Sequence, residues 1–191
     1  MLRIALCGAG GVGKGTLARR LAAGLKLNFL PSTIEDIGRR MYPKTGNYTE
    51  IADRRSFQYA ILMAQIEGEQ LFGTLDSEGF IAERSVLDYL PYAGRVFGEG
   101  SEGYRDYERI VREHLANGPY DLLVFVPLEF KPTAADLKQN SWKERDPQSQ
   151  KDTDAFLDEF IASLPDSLPT VKVTGTVEER MQQVLEALKG K

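Results

Sequence analysis

Apolar positions gather in five short runs, Leu2–Cys7, Leu27–Leu30, Gly79–Glu83, Leu122–Val126 and Thr170–Thr174, separated by longer stretches of helical character. Each run is four to six residues long, mostly Leu, Ile, Val and Phe. Strands buried on both faces have this composition, and their alternation with helices predicts a parallel sheet with helical crossovers. A helix is predicted over Thr49–Phe72, where Ile51, Phe57, Ile61, Ala64 and Leu71 recur at helical spacing. Another spans Tyr104–Ala116 and stops at Asn117-Gly118-Pro119. The stretch Lys138–Asp154 has almost no apolar residue besides Trp142, so a loop or flap over the site is expected there instead of core.

With 191 residues, 42% hydrophobic and 27% charged, the chain suits a single domain, 1–191, with a lid at about 138–154. A net charge of −4 argues against a surface built for non-specific polyanion binding. The one cysteine, Cys7, lies within the first run; it allows no intramolecular disulfide and is expected as a small buried hydrophobe. No run approaches the ~20 apolar residues of a membrane span, and the N-terminus turns glycine-rich too soon for a signal peptide. A cytoplasmic protein without a membrane partner is expected.

Between the first strand and a good helix former lies Gly8-Ala9-Gly10-Gly11-Val12-Gly13-Lys14-Gly15-Thr16. Glycines let backbone N–H groups curl round a phosphate, the new helix aims its positive end at it, and a lysine here reaches the outer phosphates. Gly8, Gly10, Gly11, Val12, Gly13, Lys14, Gly15 and Thr16 are therefore the expected binding residues for ATP with Mg2+. The strict pattern has Ser or Thr directly after the lysine to hold the metal, whereas here Gly15 intervenes and Thr16 is the candidate ligand. Gly-Lys-Gly-Thr resembles the variant in nucleoside monophosphate kinases such as adenylate kinase.

Gly79-Phe80-Ile81-Ala82-Glu83-Arg84-Ser85-Val86-Leu87-Asp88-Tyr89 brings Glu-Arg-Ser to the C-terminal end of the third strand, where ligands of parallel sheets gather. The segment resembles the Glu-Arg-Ser of deoxynucleoside kinases and the Asp-Arg-Ser of nicotinamide riboside kinase-like P-loop proteins. Ser56-Phe57-Gln58-Tyr59-Ala60-Ile61-Leu62 is similar to the Phe-Gln helix on which deoxynucleoside kinases carry a base-pairing glutamine. The resemblance implies a P-loop NTPase of α/β class, with a five-stranded parallel sheet in the order 2-3-1-4-5 flanked by helices. It implies a metal-side role for Glu83 and a catalytic role for Arg84. Gln58 can offer a donor and an acceptor to a base edge, and Arg54 and Gln65 would extend one polar stripe toward the ligand while Phe57 and Ile61 face the core. Asp88, in the Glu-Arg-Ser segment, is expected on the substrate side.

For the base that activates an acceptor hydroxyl, the resemblance points to a carboxylate soon after the second strand, and Glu35 is chosen over Asp36. A charge complementing a helix N-terminus explains the same residue equally well. In the flap, Lys143, Arg145 and Lys151 are candidates to clamp the phosphoryl group, with Arg145 preferred; a solvated charged run is the other reading. Thr174–Arg180 leads from the last strand into a helix, where related kinases seat the adenine.

These features imply an ATP-dependent kinase acting on a nucleoside- or nucleotide-like acceptor. A second acceptor is a hydroxymethylated pyrimidine within DNA, since phage P-loop DNA kinases also resemble this superfamily and Arg39, Arg40, Lys44, Arg54 and Arg55 would form a basic approach. A homodimer is compatible with the sequence. A nucleotide switch or a non-catalytic nucleotide-binding module is the reading of another class. Against the switch, Asp76-Ser77-Glu78-Gly79 precedes the third strand, and Val126-Pro127-Leu128-Glu129 stands where a guanine-reading motif would follow the fourth.

Overall fold

The computed structural model describes residues 1–44, 51, 53–75, 78–129 and 146–190. Strands β1 (Leu2–Cys7), β2 (Asn28–Leu30), β3 (Gly79–Ala82), β4 (Leu122–Phe125) and β5 (Thr170–Lys172) form one sheet in the order β2-β3-β1-β4-β5. Every pairing is parallel; Ile4 lies opposite Ile81 on one side and Leu122 on the other. The sheet order and fold class are those the resemblance implied. The helices are α1 (Lys14–Leu25), α2 (Ile34–Met41), α3 (Arg54–Leu75), α4 (Leu90–Phe97), α5 (Glu102–Ala116), α6 (Pro147–Ala162) and α7 (Val177–Lys189), with a 3₁₀ turn at Val86–Tyr89.

Period-two alternation in the strands feeds two cores. Ala5, Cys7, Phe80, Ala82, Leu123 and Phe125 face a layer built by α3, α4, α5 and α6, including Phe57, Leu62, Tyr89 and Tyr107. Ile4, Leu6, Ile81, Leu122 and Val124 face α1 and α7 through Leu17, Ala18, Leu21 and Val184. Burying one such Leu or Ile side chain contributes roughly 1.5–3 kcal/mol, so β1, β3 and β4 need no polar alternation. The edge strand β5 departs from that expectation: Thr170 and Lys172 are exposed because only one neighbour and one flanking layer cover them.

Helix α3 begins later and ends later than the sequence spacing predicts. Asp53 supplies the stop, accepting the Ser56 N–H at 3.1 Å. Ile51 is buried ahead of the helix, and Leu71, expected on the apolar face, is 52% exposed. The larger correction concerns the flap. Pro147–Asp154 are the first two turns of α6, with Asp146 accepting the Gln148 N–H at 3.1 Å and Pro147 in the first turn. Gln150 and Thr153 are 2% and 1% exposed, so this polar stretch packs into the molecule. Residues 138–145, with Trp142, Lys143 and Arg145, lie outside the described residues. Among the described residues, no helix is long and apolar enough to cross a membrane.

Candidate active site

The glycine-rich loop leaves β1, the central strand, at the carboxyl edge of the sheet. Gly8 has φ +149°, and a Cβ on it would stand 2.3 Å from the Val126 carbonyl oxygen, so only glycine fits. Gly11 and Gly13 have φ of +86° and +94°, in the left-handed region that other residues enter at a cost. Gly13 is the N-cap of α1 and has no side chain to cap with, which keeps the first N–H groups of the helix open toward the loop.

Side chains hold the outer carbonyls of this loop. Lys14 Nζ donates to the Gly8 oxygen at 2.5 Å and to the Ala9 oxygen at 2.8 Å. Gln150 Nε2 donates to the Gly10 oxygen at 2.7 Å, and Arg180 Nη1 to the Val12 oxygen at 2.8 Å. Burial lowers the Lys14 pKa, and the neighbouring Asp88 carboxylate, 3.3 Å away, opposes that shift.

Asp88 is the anion on which the second strand end converges. It is fully buried; Oδ2 accepts the Ser85 N–H at 3.0 Å and the Ser85 hydroxyl at 3.2 Å. Its Oδ1 accepts the Gly8 N–H at 3.3 Å and Arg84 Nη1 at 3.4 Å. Ser85 in turn caps the 3₁₀ turn through the Leu87 N–H, which completes a capping box with Asp88. The residue expected on the substrate side therefore lies behind the loop, where its oxygens are committed to Lys14, Arg84, Gly8 and Ser85. Burial alone would lower the Arg84 pKa, but Asp88, Tyr92, Tyr89 and Glu83 outweigh it and the guanidinium stays charged. Arg84 Nε is buried and has no hydrogen-bond partner among the described residues.

Glu83 follows β3, and its N–H donates to the Leu30 oxygen at 2.9 Å. Its carboxylate faces the start of α1, where a Cβ on Gly15 would come within 2.8 Å of Oε1. A Ser or Thr there would require the Glu83 carboxylate, the end of a flexible side chain, to shift. Thr16, one residue on, is exposed at the same helix end.

Behind Arg84 lies a buried polar network that the sequence did not announce. Glu69, 3% exposed, accepts Gln65 Nε2 at 2.7 Å and the Tyr120 hydroxyl at 2.8 Å, and lies 2.6 Å from His114 Nε2. Gln65 also donates to the Arg84 carbonyl at 2.9 Å and accepts the Tyr89 hydroxyl at 3.1 Å. The Tyr120 hydroxyl accepts the Val86 N–H at 3.2 Å. Burial, with Glu69 nearby, pushes the Tyr120 phenol well up. Gln65 thus serves the main chain of the segment after β3 and is not part of a ligand-facing stripe.

The remaining predicted residues are spread around this centre. Gln58 is 1% exposed on the first turns of α3, and its carbonyl accepts the Tyr107 hydroxyl at 3.2 Å. Arg54 opens the same helix and is exposed. Glu35 occupies the first turn of α2 and accepts Arg39 Nη2 at 2.5 Å, as a helix-end charge does. The contacts of Gln150, Arg180 and the Glu69 network escaped sequence reading, because, apart from the Gln65–Glu69 pair on one helix, their partners lie 19 to 168 residues away. The Asp146-Pro147 start of α6 is the local signal that could have revealed Gln150.

The family model for an AAA domain matches residues 3–180. Among solved structures, deoxyadenosine kinase from M. mycoides with products dCMP and a flexible dCDP bound aligns with a TM-score of 0.68 and 16% identity, covering 100% of both chains. NadR in complex with NR aligns with a TM-score of 0.74 and 16% identity over 100% of this chain and 52% of NadR, so this chain spans about half of that protein. Thymidylate kinase from Candida albicans aligns with a TM-score of 0.59 and 15% identity over 99% of this chain and 91% of that one. No curated protein matches the sequence. The fold is thus one shared with nucleoside and nucleotide kinases.

Proposed function

The chain belongs to the AAA-domain family, and we propose that it is an ATP-dependent kinase transferring the γ-phosphoryl group to a hydroxyl or phosphate of a nucleoside- or nucleotide-like acceptor. The carrying observation is the convergence of Lys14, Glu83 and Arg84 at the ends of two adjacent strands, with buried Asp88 bonded to both cations. Phosphoryl transfer demands positioning and neutralisation of charge more than covalent help from the protein. The loop N–H groups and the α1 terminus hold the polyphosphate, and Lys14 neutralises its outer oxygens. Arg84 is charged, anchored through Nη1, and keeps Nε–H as a donor for a phosphoryl oxygen. Binding-only modules have no use for such a clamp.

The residues present fit a magnesium ion. Glu83 stands beside the α1 terminus near Thr16, and among the described residues no group of three or more His, Cys, Asp or Glu forms a protein cage. Magnesium typically takes one or two protein ligands, with phosphate oxygens and waters completing its shell. Bound there, it would neutralise charge on the leaving phosphates.

Gln58 and Arg54, on the α3 end, are the acceptor-side residues of this reading, and Glu35 is its general base. Arg145 would clamp the phosphoryl group from the segment preceding α6. Asp88 becomes a positioning residue for Lys14 and Arg84. A small-molecule acceptor and a cytoplasmic setting accompany the reading.

A mass-resolved assay tests it, with Mg·ATP offered to pooled deoxynucleosides, nicotinamide riboside, nucleoside monophosphates and a duplex containing hydroxymethyluracil. A gain of one phosphate on a free nucleoside or nucleotide is expected. Transfer only to the duplex would move the function to DNA modification, and ATP binding without transfer to any acceptor would favour a switch or binding module.

A further inference from the structure

Four carbonyls of the glycine-rich loop accept hydrogen bonds from side chains, and two of those donors come from the far end of the chain. Gln150 reaches the Gly10 oxygen from α6, and Arg180 reaches the Val12 oxygen from α7. A trans peptide is planar, so its C=O and N–H point in opposite directions. Fixing the Gly10 carbonyl on Gln150 therefore turns the Gly11 N–H away from α6, and fixing the Val12 carbonyl on Arg180 turns the Gly13 N–H away from α7. Gly11 and Gly13, with φ of 86° and 94°, are also two of the three loop glycines with positive φ. Glycine has the widest conformational freedom of any residue, so these peptides need an external constraint to keep one orientation.

Both donors are themselves held. Arg180 is 3% exposed, and Nη2 bonds Glu129 Oε2 at 2.7 Å; the same oxygen accepts the Gly175 N–H at 2.9 Å. Gln150 is 2% exposed on a helix pinned from two sides. Arg95 Nη2 donates to the Ser149 carbonyl and to the Thr153 hydroxyl, each at 2.8 Å, and Asp154 accepts the Leu128 N–H at 2.8 Å.

We infer that Gln150 and Arg180 are positioning residues for the phosphate cradle. Through the Gly10 and Val12 carbonyls they aim the Gly11 and Gly13 N–H groups at the polyphosphate, and Glu129 holds Arg180 in place. The inference rests on the proposed reading of the loop as a nucleotide cradle. Neither residue touches the ligand in this role, and neither distinguishes one base from another.

The test is calorimetric titration of the full chain with Mg·ATP and, separately, with inorganic tripolyphosphate. Gln150→Leu removes one donor with little change of volume, and Arg180→Lys keeps the charge but offers one nitrogen in place of the two that serve Val12 and Glu129. Each is expected to weaken ATP and tripolyphosphate by the same factor, about tenfold, the equivalent of one lost hydrogen bond of the charged or buried kind. In turnover, KM for ATP should rise while KM for the acceptor stays unchanged. Should Arg180→Lys not fold, Glu129→Gln replaces it, with a smaller loss of the same equal kind. Folded variants with wild-type affinity for both ligands would overturn the inference and leave the kinase reading standing, as would a loss confined to ATP. A wild-type chain that binds neither ATP nor tripolyphosphate would overturn the cradle reading itself.

Discussion

The loop after β1 and the segment after β3 sit side by side on the carboxyl edge of the sheet, yet they are held in different ways. The Glu83–Tyr89 segment caps itself: Ser85 and Asp88 satisfy one another within four residues, and a buried network from α3 and the approach to β4 seizes the Arg84 carbonyl and the Val86 N–H. The loop has glycines where the segment has side chains, and its carbonyls are held by its own Lys14 and from outside by Gln150 and Arg180. Asp88 joins the two, bonding Gly8 and approaching Lys14 on one side while holding Arg84 and Ser85 on the other. A ligand-facing backbone can be glycine-rich only where other parts of the fold supply the constraint that side chains normally provide.

The largest effect should come from the loop lysine that Asp88 ties to the second segment. Lys14→Ala is expected to lower turnover by more than ~10³, since it removes a charge-stabilising donor and also releases the Gly8 and Ala9 carbonyls. Asp88 keeps Arg84, Ser85 and Gly8 as partners, so the fold should survive, with stability reduced by about 1–3 kcal/mol in urea titration. Ordinary turnover in that variant would remove the core of the proposal. Arg84→Ala should cost ~10³ in kcat with its segment still ordered; unchanged kcat would make Arg84 structural only.

Glu69→Ala separates the two regions, because it strips an acceptor from Gln65, Tyr120 and His114 without touching the loop. A loss of about 2–3 kcal/mol in unfolding free energy is expected, with ATP affinity retained in the folded fraction. Weakened ATP binding would mean that the segment and the loop are not independently held. Gly15→Ser tests a second meeting point of the two regions: its Cβ would displace the Glu83 carboxylate, and turnover should fall roughly tenfold. The companion change Glu83→Ala should relieve the crowding in stability but not restore turnover. The smallest effect is expected at Gln58, which lies in neither region. Gln58→Ala should raise KM for the acceptor about tenfold and leave ATP binding unaltered; an unchanged acceptor KM would end its base-reading role.

Much of the fold and the candidate cradle could be read along the chain because their determinants are local. Residues 8–16 combine glycines, a lysine and a helix start within nine positions, and β3 and β4 are uninterrupted apolar runs. Gln65 and Asp88 were legible as polar residues near the site but not as to direction, since a helix or turn shows only that a side chain lies on some face. Asp88 points back into the protein because Lys14 and Gly8 wait there, 74 and 80 residues earlier in the chain. The polar character of 147–154 suggested solvent, whereas Gln150 and Thr153 are buried against hydrogen-bond partners contributed by the loop and α4.

What the sequence determined by itself was therefore the five strands, the helices behind the glycine-rich loop and over α3 and α5, and the backbone freedom of that loop, because hydrophobic period, helix caps and backbone freedom act over a few residues. Only the tertiary structure decided which carbonyls the donors hold, which carboxylate faces Gly15, and which buried carboxylates serve structure. Those outcomes depend on distances of 2.5 to 3.5 Å between groups far apart in the chain, where one partner's burial is settled by the arrival of the other.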